Sequence, residues 1–379
     1  MRLGRYTLTL EPRPTLSPLH AVLTAILAIF VALALSSVIF LRSELGALSA
    51  YRVIFSYAFA NPNGLFTTVH RAIFLLFCTF AFLVPLRAGL WNIGLPGQVY
   101  AGALAAFAVP FALQAHEAPS PLLPPGLTVL AMVLAAAVAG AALAAFAGIL
   151  WAKLHVNEIL VTMMLNSILF WFVSYMIKEG GPYMGATAEG ESFLLPDALR
   201  APTVLGVPFT AMLAVGAAAL LDLFFAKTTL GYKIRAFGLN PAASRYAGIN
   251  PVTLPVLVFV LGGAFAGLAG YHNFAAIPGL YKISGNYGYY GDLAFYGIIS
   301  GLIARGGAAA IPVVLLFAGL SLGARLVQGQ LHLPFGVDYA LLGLLMMTFV
   351  PFLILYRFRI ALRLAPKALP QISADVPKA

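Results

Sequence analysis

The chain has 379 residues, of which 61% are hydrophobic and 9% are charged, and it carries a formal net charge of +10. A soluble domain is about 25% charged, so this composition excludes a water-soluble globular protein and points to a single membrane domain over 1–379. The basic residues lie in loops and tails, which argues for membrane orientation and against nucleic acid as a partner, and the lone Cys78 excludes an internal disulfide or a cysteine-based zinc site.

Ten apolar runs follow one another at 19–41, 66–86, 99–113, 127–151, 159–177, 203–226, 253–271, 293–304, 311–327 and 339–356. Each is expected to be a helix, because a segment crossing lipid must satisfy its own backbone hydrogen bonds. The first run is too long for a signal-peptide core and reads as a retained span behind a basic head, 1–18. An even number of spans puts head and tail on one side. Fifteen of the 22 Lys and Arg residues fall on that side and seven on the other. The positive-inside rule then makes the head, the loop 227–251 and the tail 357–379 cytoplasmic, in a multi-pass protein of the cytoplasmic membrane.

Two segments share a pattern. Asn92-Ile93-Gly94-Leu95-Pro96-Gly97-Gln98 precedes the third run, and Asn286-Tyr287-Gly288-Tyr289-Tyr290-Gly291-Asp292 precedes the eighth. Both read N-x-G-x-x-G followed by Gln or Asp. Both precede short runs, which at 15 and 12 residues reach roughly 22 and 18 Å of a core about 30 Å thick. The first copy starts inside and the second outside, as an inverted repeat requires, and paired short helices of that kind point to a transport pathway. Asn92, Gln98, Asn286, Tyr290 and Asp292 are therefore candidate pathway residues, with Tyr289 and Tyr290 expected to stack on a flat base. Gln98 and Asp292 also suit the simpler role of capping the first turn of a helix.

On the fifth run Glu158, Thr162 and Asn166 recur every four residues and form one polar stripe, which should face protein rather than lipid. Asn166 is a candidate for bonding a hydroxyl in transit or for joining helices; Glu158 lies near the cytoplasmic end and suits gating or subunit contact. Gly262, Gly263, Gly267 and Gly270, with the alanine-rich run 135–147, read as close-packing faces. The six histidines show no metal-ligand spacing, and no metal is assigned.

In the loop 227–251, Asn240 is a good N-cap, Pro241 suits the first helical position and Gly248 the left-handed end, so 240–248 is expected to form a short helix. Such a helix is marginal alone, and Ala242, Ala243 and Tyr246 offer small surfaces for a partner groove.

The stretch from Gly231 to Asn250 resembles the coupling segment of ATP-binding-cassette importer permeases, in the branch handling nucleosides and simple sugars. Residues 87–98 are similar to the segment before that branch's third span, and 156–166 to its fifth-span motif. The match departs at Pro96, where many members carry an acidic residue. The resemblance implies an all-α membrane protein of about ten spans with an inverted repeat, similar to type II importer permeases. It implies that 231–250, with Gly231, Arg235, Gly238, Asn240, Pro241, Ala242, Ala243 and Gly248, docks on a cytoplasmic ATPase. The expected partners are that ATPase, a non-identical sister permease, an external binding protein and the lipid bilayer. The expected solute is a nucleoside first and a simple sugar such as a pentose second. The chain holds no G-x-x-x-x-G-K-[ST] phosphate loop, so ATP and magnesium are expected on the ATPase subunit, none on this chain, which is not itself an enzyme. An ion-coupled carrier is the rival class. Glu158, Asp222, Asp292 and Asp338 all lie close to the ends of runs, which argues against a proton relay.

Overall fold

A computed structural model describes residues 2–3, 6–12, 18–40, 46–113, 123–178, 180–185, 190–204, 206–304, 306–333 and 336–364. Thirteen α-helices carry the fold among these residues. In chain order they begin with α1 (Pro18–Ser36), α2 (Gly46–Phe55), α3 (Pro62–Arg87), α4 (Leu95–Ala112), α5 (Pro125–Leu154) and α6 (Glu158–Ile177). After these come α7 (Phe209–Lys227), α8 (Thr229–Leu239), α9 (Pro241–Tyr246) and α10 (Thr253–Ala275). The last three are α11 (Tyr287–Ala304), α12 (Gly307–Gln330) and α13 (Val337–Arg357). Short strands are β1 (Arg2–Leu3), β2 (Tyr6–Pro12), β3 (Thr203–Val204), β4 (Val207–Pro208) and β5 (Phe358–Leu364).

Each of the ten apolar runs corresponds to a helix, and the differences are at the ends. α4 starts four residues before its run and α11 six before, and each is 18 residues long, about 27 Å. The N-x-G-x-x-G segments thus run into the helices, and neither helix is as short as its apolar run. The sixth run starts too early: β3 pairs antiparallel with β4, Thr203 opposite Pro208 and Val204 opposite Val207, and α7 begins only at Phe209. α2 and α8 are additional helices. Arg5, Arg13, Arg42, Arg305, Lys367 and Lys378, which enter the charge count, lie outside the described residues, as do His116 and the tail beyond 364.

The chain divides into two compact units, the smaller being Met1–Leu48 with Tyr339–Ala379. In it β2 pairs antiparallel with β5, from Tyr6 opposite Leu364 to Pro12 opposite Phe358, and β1 adds to the other edge of β2. The sheet thus joins a strand of the head to a strand that follows α13. α1 exposes Ile26 and Phe30, as a lipid-facing helix should.

The larger unit is Ser49–Asp338. Seven of its helices, α3, α4, α5, α6, α7, α10 and α12, are long and apolar enough to cross a membrane. α10 packs on α5, α3 and α4, while α3 packs on α12, α10 and α11. If α3 is exchanged with α10, α4 with α11 and α5 with α12, the α10–α5 pair maps onto α3–α12. In the same way α10–α4 maps onto α3–α11, and α4–α5 onto α11–α12. Five spanning helices, α3 to α7, precede α10, so α3 and α10 run in opposite directions. This is the inverted repeat expected from the two motifs.

Glycine sets the distance between these helices. A Cβ on Gly267 would fall 1.9 Å from the Ala136 carbonyl oxygen, one on Gly140 2.2 Å from that of Gly263, and one on Gly270 2.2 Å from that of Val99. Helices α5, α10 and α4 therefore touch backbone to backbone, as small-residue faces do in lipid.

One carboxylate ties α7 to α12. The N-cap of α12 is Gly306, which offers no side chain; instead Asp222 of α7 accepts from Gly307 N at 2.7 Å and from Ala308 N at 2.8 Å. An anion here satisfies two orphan donors and complements the helix dipole. Asp222→Ala is expected to cost about 1–2 kcal/mol, the scale of a lost cap. Thermal unfolding of the detergent-solubilised chain checks this, and an unchanged midpoint would count against the clamp.

Candidate translocation pathway and coupling surface

The segment 91–98 is fastened from both sides. Asn92 and Gln98, both fully buried, exchange amide hydrogen bonds: Asn92 Nδ2 donates to Gln98 Oε1 at 2.9 Å, and Gln98 Nε2 to Asn92 Oδ1 at 2.8 Å. Asn92 also donates to Ala81 O at 3.3 Å and accepts from Gly94 N at 3.2 Å. The polar stripe of α6 closes the other side. Asn166 Oδ1 accepts from Gly97 N at 2.8 Å, Asn166 Nδ2 donates to Ile93 O at 3.0 Å, and Trp91 N donates to Glu158 Oε1 at 3.4 Å. The motif glycines permit this approach: a Cβ on Gly94 would lie 2.9 Å from Thr162 Cβ, and one on Gly97 2.9 Å from Asn166 Oδ1.

The second motif meets α4 and α6. A Cβ on Gly291 would fall 1.8 Å from the Tyr100 hydroxyl, and one on Gly288 3.2 Å from the Phe170 ring. Tyr287 donates its hydroxyl to Phe170 O at 3.1 Å. Where α4, α6 and α11 converge there is a cavity of about 210 Å³ lined by Pro96, Tyr100, Asn166, Ser167, Phe170, Trp171, Gly291, Asp292 and Phe295.

Of the sequence candidates, the structure brings Asn166 and Asp292 together in this cavity. Asn92 and Gln98 pair behind it, and Asn286 is exposed just before α11. Tyr290 lines a separate, smaller space with Tyr100 and Tyr287. Tyr289 turns away from both, buried between Arg71 and Arg325. Adjacent residues on a helix point about 100° apart, so the two tyrosines reach different neighbours. As for capping, Gln98 is the fourth residue of α4 and Asp292 the sixth of α11, and α4 starts from Gly94 without a side-chain cap.

Gln98→Leu is expected to strand the Asn92 amide and destabilise the chain by about 2–3 kcal/mol. Adding Asn92→Leu should cost less than the sum of the two single changes, since the pair leaves together. Strict additivity in thermal unfolding would show that the two amides do not interact.

The loop after α7 carries the second candidate surface. Thr228 caps α8 by accepting from Gly231 N at 3.0 Å. A Cβ on Gly231 would lie 2.3 Å from Phe224 O and one on Gly238 2.3 Å from Arg87 O, so α8 lies against the ends of α7 and α3. Ile234 and Phe237 are buried beneath it. α9 follows, with Asn240 Oδ1 accepting from Ala243 N at 3.0 Å, Pro241 in its first turn and Gly248 left-handed at φ +77°. Ser244 and Ile249 face inward, whereas Pro241, Ala242, Ala243, Arg245 and Tyr246 are exposed, Tyr246 to 96%. Arg235 is also exposed, on the wall of a groove of about 460 Å³ with Lys227, Tyr232 and Lys233. Sequence reasoning missed α8 and this groove. The signal was present: Thr228 before Gly231, Ile234 and Phe237, three residues apart, marks a capped helix with one buried face.

Comparison with known proteins matches residues 64–350 to the family described as branched-chain amino acid transport system / permease component. A glucose ABC transporter permease of Haloferax volcanii is 33% identical, over 93% of this chain and 92% of its own length. A nucleoside ABC transporter permease of Lactococcus lactis is 30% identical over 79% of this chain and 81% of its own. A guanosine ABC transporter permease of Bacillus subtilis is 30% identical over 81% and 86%.

Proposed function

Since the chain belongs to the family of branched-chain amino acid transport system permease components, we propose that it is the membrane-spanning subunit of an ATP-driven importer that carries a nucleoside across the cytoplasmic membrane. The family implies an ATPase subunit and a substrate-binding protein as partners. The observation that carries the nucleoside is the likeness to two nucleoside permeases over 79% and 81% of the chain. The cavity between α4, α6 and α11 is compatible with it: Tyr100, Phe170 and Trp171 offer flat faces for a base, and Asn166 and Asp292 offer polar groups for ribose hydroxyls. A simple sugar is the second reading, favoured by the relative named for glucose.

In this reading α8 and α9 receive the ATPase, which holds ATP and magnesium, and their side of the membrane is cytoplasmic along with both termini. The fifteen-to-seven charge split supports that sidedness. A non-identical sister permease completes the pathway, and Glu158, bonded to Trp91 near the cytoplasmic end of α6, serves gating or subunit contact. The test is uptake of labelled nucleoside by cells expressing the whole system in a background without nucleoside uptake. Nucleoside accumulation that unlabelled glucose or pentose does not compete supports the proposal; sugar accumulation without nucleoside uptake replaces it with the second reading.

A further inference from the structure

Two arginines of the larger unit meet on one ring inside the helical bundle. Arg71 lies nine residues past the start of α3, about 14 Å along it, and Arg325 five residues before the end of α12, about 8 Å. The Arg325 guanidinium carbon is 3.8 Å from the centroid of the Tyr289 ring and that of Arg71 is 5.5 Å away. Arg71 Nη1 donates to Ser321 Oγ at 2.9 Å, and the Tyr289 hydroxyl lies 3.2 Å from the same oxygen. Tyr289 is buried, whereas both arginines keep part of their surface open. Among the described residues neither guanidinium has a carboxylate within ion-pair distance.

A guanidinium keeps its charge in any protein environment, and charge within a span is retained where something pairs it. One aromatic ring attracts a cation without neutralising it, and here two cations share the ring. Two planar forks with most of their N–H donors unspent match an oxyanion, which they can grip through paired charge-assisted hydrogen bonds. The place is informative too. Gly238 of α8 packs on Arg87 at the far end of α3, so the arginines sit at the end of the bundle opposite the α8–α9 loop, within reach of the bilayer surface for a long side chain.

We propose that Arg71, Arg325, Tyr289 and Ser321 form a binding site for a phosphate group at the end of the bundle opposite the coupling loop. The phosphate comes from a phospholipid headgroup or from a small soluble phosphate. The site is separate from the cavity between α4, α6 and α11, whose lining includes none of these four residues.

The test uses the full-length chain in neutral detergent, followed by thermal unfolding with added phosphatidylglycerol, phosphatidylcholine or inorganic phosphate. The wild-type midpoint should rise with phosphatidylglycerol if the headgroup is the ligand, or with inorganic phosphate if it is soluble. Arg71→Gln and Arg325→Gln should abolish that rise, while Lys178→Gln, elsewhere on the chain, should keep it. No rise with any phosphate source, or a rise of equal size in wild type and both arginine variants, overturns the site. Should the glutamine variants not accumulate, native mass spectrometry of wild type and Arg325→Lys decides. Wild type should retain one phosphate-bearing molecule, and the lysine variant should bind it about tenfold more weakly, having lost the two-pronged grip. Equal retention by both proteins, or none by wild type, again overturns the proposal.

Discussion

Gly267→Val is expected to stop the folded chain from accumulating in the membrane. A Cβ at this position would lie 1.9 Å from the Ala136 carbonyl oxygen of α5, and α10 is also held against α4, where a Cβ on Gly102 would lie 2.4 Å from Gly267 Cα. Overpacking costs about 1–3 kcal/mol where side chains can shift aside. Here the opposing atoms are backbone on both sides, so relief requires α5 and α10 to part and the cost exceeds ~3 kcal/mol. Parting them also breaks the close approach at Gly140 and Gly263, where a Cβ on either would lie 2.2 or 2.3 Å from the other's carbonyl oxygen. Size-exclusion of a fluorescently tagged chain in mild detergent reads the result. Gly267→Val should give aggregate in place of the sharp wild-type peak, and Gly216→Ala, with no atom within 4 Å of its Cβ, should elute as wild type. A sharp peak for Gly267→Val would mean that α5 and α10 are not packed as described.

The second large effect is expected at α9. Changing Ala242 and Ala243 together to Asp should cut uptake at least tenfold while leaving the chain folded and in the membrane. Both side chains are exposed, so no core contact is lost. Both positions lie in the first turn of α9, behind the Asn240 cap, where negative charge favours a helix. The helix itself therefore survives, and what changes is the surface offered to a partner: two small apolar groups become two carboxylates that must be desolvated on docking. Co-purification of the ATPase subunit should fall with uptake. Wild-type uptake and co-purification in the double variant would remove α9 from the coupling surface.

The long helices were readable because a membrane span needs a sustained apolar run, and little else in a chain mimics one. α2 and α8 were not. Each is about three turns or fewer, buries only a few residues such as Ala50 and Ile54 or Ile234 and Phe237, and carries charge on its open face. The starts of α4 and α11 were misplaced for a related reason. Leu95-Pro96-Gly97-Gln98 and Tyr287-Gly288-Tyr289-Tyr290 look like turns, yet Gly97 and Gly288 serve close approach to α6 from within a helix. The inverted repeat was visible in the spacing of two motifs, and the helix pairing repeats it.

The site was visible in residue type and less so in direction. That Asn166 faces protein follows from its stripe with Glu158 and Thr162. That its amide oxygen accepts from Gly97 N and its amide nitrogen donates to Ile93 O depends on how α6 crosses a segment nearly seventy residues away. The pairing of Asn92 with Gln98 likewise needs the chain to turn at Gly94 before α4 begins. No periodicity records that turn.

In the proposed function, solute moves by energy delivered through α8 and α9 from a partner ATPase. Transport into proteoliposomes tests it most directly. The vesicles hold the permease, its sister chain and the ATPase subunit, with ATP and magnesium on the α8–α9 side and the binding protein with labelled nucleoside on the other. Accumulation that requires hydrolysable ATP, and that persists when sodium and proton gradients are collapsed, is the expected result. Accumulation driven by a sodium or proton gradient with ATP absent would make the chain an ion-coupled carrier instead.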